Sequence, residues 1–99
     1  MVYAAEVLKL VSKNYGTTLT RLLSRTQAQP TIDARLMAYF LLRYAGFHWK
    51  TIGAIMKRDH STCITGARSF ESLADNEPWL IDLAADIHQQ AKTAAGIRQ

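Results

Sequence analysis

The chain has 99 residues with a formal net charge of +4, which allows one modest core and excludes a two-domain architecture. Apolar residues make up 48% of it, as in a globular rather than a disordered chain. No apolar run approaches the roughly 20 residues of a membrane span, and Met1-Val2-Tyr3-Ala4-Ala5-Glu6 has neither the basic start nor the long apolar run of a secretory signal, so a cytoplasmic protein is expected.

Charge is unevenly distributed. Residues 1–68 carry ten Lys/Arg against Glu6, Asp33 and Asp59, a balance of +7, and residues 69–99 carry two against Glu71, Asp75, Glu77, Asp82 and Asp86, a balance of −3. A basic body with an acidic end suits nucleic acid on the first part, and equally an ordinary solvated surface. The single cysteine, Cys63, cannot form an internal disulfide and falls on an apolar stripe, which predicts a buried thiol rather than a nucleophile. His48, His60 and His88 lack metal-ligand spacing, so no metal or other cofactor is expected.

In chain order, Val2 to Tyr15 places Ala4, Val7, Leu8, Val11 and Tyr15 on one helical face, with Gly16 at the C-cap position. Thr17 or Thr18 can cap a short helix through Leu19, Leu22 and Leu23. Ser24 to Thr31 reads as a polar loop, with Pro30 in or just ahead of the next helix. Ile32 to Tyr44 is apolar on nearly all sides, the pattern of a bundle's centre, with Arg35 and Arg43 on its flanks. After a turn at Ala45-Gly46, Trp49 to Met56 turns Ile52, Ile55 and Met56 inward and Lys50 and Thr51 outward.

A polar cluster, Asp59-His60-Ser61-Thr62, then opens a further helix. Asp59 is suited to N-capping, its carboxylate accepting from the amide of Ser61 or Thr62. Cys63, Ala67, Phe70 and Ala74 make a stripe for burial, while Ser61, Thr65, Arg68 and Ser72 make a polar one. Short polar side chains in the first turn could read base edges in a major groove, as in a helix-turn-helix; capping alone explains the cluster equally well. Mid-helix Gly66 calls for a neighbour in close approach. Asp75-Asn76-Glu77-Pro78 predicts a stop and restart before a last helix, Trp79 to Ala94, which closes the bundle or offers a dimer surface. Gly96 to Gln99 should fray.

The run Arg58-Asp59-His60-Ser61-Thr62, with Ile52-Gly53 before it and Gly66-Ala67-Arg68 after it, closely resembles the signature of the C-terminal DNA-binding domain of the bacterial replication initiator DnaA. The likeness extends back through Arg35-Leu36-Met37-Ala38 and Leu22-Leu23-Ser24, roughly residues 4 to 74. It implies an all-α fold, a small helical bundle containing a helix-turn-helix. Residues 1–75 would form that domain, and 76–99 a C-terminal helix that packs on it or mediates dimerisation. It also implies double-stranded DNA as partner, with base contacts from Asp59, His60, Ser61 and Thr65. Backbone contacts would come from Arg25, Arg35, Lys50, Thr51, Lys57, Arg58, Thr62 and Arg68.

Two departures from the family stand out. Its loop before the central helix is rich in arginine and enters the minor groove, whereas this loop has Arg25 with Gln27 and Gln29. Its glycine pair before the arginine is replaced by Met56-Lys57, one residue shorter, so the turn must be tighter or differently capped. Asp59, His60 and Ser61 are adjacent and cannot relay a proton as a hydrolase triad does, and no G-x-x-x-x-G-K-[ST] loop is present, so no enzyme and no ATPase is expected in these residues. The favoured expectation is a sequence-specific duplex-binding regulator of replication or transcription, nucleoid-associated and of bacterial, phage or mobile-element source. The alternative is a protein–protein adaptor that kept the fold, lost most DNA affinity, and recruits another replication or transcription protein.

Overall fold

The computed structural model describes residues 2–96. Six helices follow one another, α1 (Val2–Asn14), α2 (Leu19–Leu22), α3 (Gln29–Tyr44), α4 (Trp49–Met56), α5 (His60–Asn76) and α6 (Trp79–Ala94). There is no strand among the described residues, and the fold is the small all-α bundle the sequence predicted. No helix among them is long and apolar enough to cross a membrane.

The boundaries follow local chemistry. α1 ends where Gly16 adopts φ +69°, a left-handed conformation that glycine reaches without a Cβ penalty. Thr18 caps α2, its hydroxyl accepting from the Arg21 amide at 3.2 Å. α3 starts a turn earlier than Ile32, because Pro30 occupies the first turn, where its missing N–H costs nothing. α5 runs two residues past Ala74 to Asn76, and no side chain caps α6 behind Pro78. Of the residues expected to fray, 97–99 lie outside the described region.

α3 is the centre of the bundle. Ala34, Met37, Ala38, Leu41 and Leu42 are buried along it, and it packs on every other helix. Its closest partner is α5, which contributes buried Cys63, Ala67, Phe70 and Ala74. The expected close approach at Gly66 is to the ring of Tyr39: a methyl there would lie 2.3 Å from the Tyr39 Cδ2. Arg43 secures the α3–α4 turn, donating to the Phe47 carbonyl at 3.2 Å and lying over the Trp49 ring at 5.0 Å.

α6 lies against α1, away from α4. At this seam the Tyr3 hydroxyl and His88 Nδ1 share a hydrogen bond at 2.6 Å, and Tyr44 meets the same imidazole edge-on at 5.3 Å. Burial, then the neighbouring Lys92, lowers the pKa of His88, while burial and Tyr44 push the Tyr3 hydroxyl up to about 12.

Two predictions follow from this packing. Gly66→Ala should lower stability by about 1–3 kcal/mol in denaturant unfolding, despite alanine's better helix propensity, because a buried aromatic ring must move. Stability should also fall as pH drops below 6.5, the ordinary value for His88, through its lower folded value. In that window the unfolded chain takes up a proton that the folded one refuses; above it neither state gains. Melting temperatures followed downward from pH 7.5 should show the loss, and His88→Gln should flatten it.

Candidate nucleic-acid interface

α4, a three-residue turn and α5 form the helix-turn-helix. The turn closes without the expected glycine. The amides of Lys57 and Arg58 both donate to the Gly53 carbonyl, the latter at 2.9 Å, and Lys57 takes φ 56°, ψ 44°, the only left-handed non-glycine among the described residues. This is a Schellman closure with lysine where glycine is usual. The indispensable glycine lies upstream: a Cβ on Gly53 would sit 2.6 Å from the Arg58 carbonyl oxygen, where the chain crosses α4 to enter α5.

Asp59 occupies the N-cap position, as predicted, but its carboxylate does not make the expected hydrogen bond to a first-turn amide. Oδ2 instead accepts from the Ser61 hydroxyl at 2.8 Å, and Oδ1 lies 3.5 Å from His60 Nδ1. The hydroxyl bond is the main reason its pKa is lowered; desolvation opposes it, and His60 and the nearby amides of His60 and Ser61 help. The carboxylate is thus the hub between serine and imidazole. A hydrolytic relay needs the imidazole in that place.

The expected site residues divide among several surfaces. Ser61, Thr62 and Thr65 line a groove between α5 and the start of α3, together with Gln27, Arg35, Arg58, Tyr39 and Gly66. Lys50, Lys57, Asp59 and His60 line a second concavity between α4 and the start of α5, and Arg58 borders both. Ser61, Thr62, Thr65, Lys50, Lys57, Asp59 and His60 are all exposed. Thr51, Arg68 and Arg25 are also exposed but border neither hollow.

Arg35, expected against a DNA phosphate, also lines the first groove, but it is only 6% exposed and is held by carbonyls at the end of α2 and in the loop after it. Nε donates to Leu22 O at 2.8 Å, Nη1 to Thr26 O at 2.7 Å, and Nη2 to Arg21 O at 3.0 Å and Ser24 O at 2.6 Å. Burial, and secondly the like charge of Arg58, lowers its pKa, yet an arginine remains charged at any ordinary pH. Half-buried Arg58 donates to Met56 O at 3.3 Å and Lys57 O at 3.1 Å, and its Nη2 also reaches Ser24 O.

Gln27 and Ser69, not chosen from the sequence, join the first groove. Ser69 could have been found as the next step from Thr62 and Thr65 at helical spacing. Gln27 could not, because its place depends on how the loop is tied down.

The sequence that builds this surface matches known ones. The profile of the family described as "Bacterial dnaA protein helix-turn-helix" matches residues 4–69. The chain is also similar to the chromosomal replication initiator protein DnaA 1 of Chlamydia muridarum, at 24% identity over 94 residues. That match covers 94% of this chain and 21% of the relative, so the chain spans about a fifth of the relative's length.

The turn geometry yields opposite expectations for two glycine exchanges. Lys57→Gly should raise stability by about 1 kcal/mol, since a left-handed lysine carries strain that glycine does not. Gly53→Ala should lower it by about 1–3 kcal/mol, because its obstacle is backbone that cannot turn aside. Urea titrations of both variants beside the wild type would check the pair.

Proposed function

Because the chain belongs to the bacterial DnaA helix-turn-helix family, whose members bind DNA, we propose that it is a sequence-specific double-stranded DNA-binding protein whose reading element is the first turn of α5. The observation that carries this is the exposure of His60, Ser61 and Thr65 on one helix end, bordered by the cationic side chains of Lys50, Lys57 and Arg58. In the major groove, Ser61 and Thr65 offer hydroxyls to base edges, His60 offers its ring face to a thymine methyl, and Asp59 accepts from a cytosine amino group. Asp59 also fixes the Ser61 rotamer before any base arrives.

Backbone phosphates would meet Lys50, Lys57, Arg58 and Thr62, with Thr51, Arg68 and Arg25 at the margins. Arg35 is left out of this set by its burial. Binding of this kind needs no nucleotide hydrolysis. A chain that occupies initiator-type sites without hydrolysing ATP acts as a local regulator of replication or transcription, in the nucleoid.

A second reading, an adaptor for another protein, is supported by the withdrawal of Arg35 from the surface and by exposed Tyr44 and Ile81 beside the α3–α6 seam. Binding to duplex separates the two.

Fluorescence anisotropy with a duplex carrying a DnaA-type box, beside a scrambled duplex, across a salt series, should show selective binding. Ser61→Ala should cost about 1–3 kcal/mol of discrimination with little change on the scrambled duplex. Lys50→Ala and Lys57→Ala should weaken both duplexes alike, each reducing the log–log salt slope by about 0.9. Absence of binding to either duplex at low salt would pass the case to the adaptor.

A further inference from the structure

The end of α5 opposite the reading turn borders a separate hollow. A cavity of about 200 Å³ lies there among the end of α1, α3, α5 and α6, lined by Tyr15, Phe70, Leu73 and Trp79 together with Asp33 and Glu77. Trp79 is 55% exposed and Leu73 39%, unusually open for large apolar side chains. Both carboxylates bear on the cavity: burial first, then Asp33, then Glu77, pushes the Tyr15 hydroxyl up to about 12. Among the described residues no lysine or arginine pairs with either carboxylate. Their side-chain donors are neutral, the Gln29 carboxamide to Asp33 Oδ1 at 2.8 Å and the Trp79 indole N–H to Glu77 Oε1 at 3.3 Å.

Independently of the DNA-binding reading, we propose that this cavity receives an arginine side chain from a basic segment of another protein. A cation is attracted by aromatic faces and by carboxylates alike, and here three rings and two carboxylates line one hollow. A guanidinium suits it better than an ammonium. It is planar, lies over an indole face, and donates two parallel hydrogen bonds to a carboxylate at its edge. The bond from the Trp79 indole holds Glu77 beside that ring, so one guanidinium can meet both. The chain makes such an aromatic pairing internally, with Arg43 over Trp49 at 5.0 Å. The surrounding charge also favours a basic partner, since Glu71, Asp75 and Asp82 are exposed and near the lining residues in sequence. Leu73 follows Ser61 by twelve residues, about 18 Å along a helix, so this partner and a duplex can be held together.

The test uses the full chain and a capped Gly-Arg-Gly peptide, beside the same peptide with lysine or neutral citrulline at its centre. The indole N–H signal of Trp79 in NMR is the readout, and that of Trp49 is the reference. The arginine peptide should move the Trp79 signal saturably and leave Trp49 in place. The lysine peptide should bind several-fold more weakly, and the citrulline peptide should cause no saturable shift. Glu77→Gln should weaken the arginine peptide about tenfold. Trp79→Ala, followed through the Leu73 methyl signals, should weaken it by a similar factor.

An unmoved Trp79 signal, or unchanged affinity in Glu77→Gln and Trp79→Ala, would overturn the proposal. Should Trp79→Ala fail to fold, Glu77→Gln decides alone. Equal binding of the citrulline peptide would make the hollow an apolar contact, and equal binding of lysine would remove the guanidinium assignment. Sedimentation velocity judges the source: self-association of the wild type that Trp79→Ala abolishes would give the cavity to a second copy and refute a separate partner. None of these readouts uses DNA, so they stand whether or not the chain binds a duplex.

Discussion

Where the backbone of α5 meets α3 at Gly66, a methyl would lie 2.3 Å from the Tyr39 ring, and where the chain enters α5 a methyl on Gly53 would lie 2.6 Å from the Arg58 carbonyl. These two near-contacts fix the recognition helix at both its entry and its middle. The first sets how close α5 lies to the bundle's centre, and therefore how far Ser61 and Thr65 stand from the body. The second sets the angle at which α5 leaves α4. Cys63 and Phe70, flanking Gly66 along the helix, fill the buried space on either side of it and hold the rotation of α5. The polar stripe faces outward because of that packing.

The charge distribution is shaped by a buried cation as much as by exposed ones. An unpaired guanidinium would be costly away from water; that of Arg35 is tolerated because carbonyls at the end of α2 and in the loop after it, which need donors themselves, surround it. The exchange is mutual, since a segment without helix or sheet must find partners for its carbonyls somewhere. One positive charge is thereby removed from the surface and converted into loop rigidity. Lys50, Lys57 and Arg58 remain as the cations closest to the reading turn.

Much of this was legible in the sequence, and the misses share a cause. Helix positions followed from periodicity and punctuation: Gly16, Thr18 and Pro30 each mark a boundary by a mechanism that acts within a few residues. The inward and outward faces of α4 and α5 followed from spacing alone, and so did the need for a neighbour at Gly66. The partners of Arg35 were not legible because they lie up to 14 residues away, across a loop whose path no local pattern dictates. The same holds for Gln27, which lines the groove from a loop without regular structure. At Asp59 the position was right and the partner wrong: a serine two residues on competes with the backbone amide for the same carboxylate.

The polarity of α5 has a consequence for encounter rather than for grip. Lys57 and Arg58 stand at its beginning, while Glu71, Asp75 and Glu77 gather at its end, about 25 Å away at the ordinary rise of a helix. The aligned peptide dipoles add in the same sense, positive at the start. A polyanion approaching from any direction exerts a torque on such a molecule, repelling one end and drawing in the other. Rotation before collision would bring the reading turn forward, and upside-down collisions, which would have to dissociate and begin again, become rarer. On the proposed DNA-binding reading, the acidic end of α5 would thus act on the rate of search rather than on the strength of the final contact.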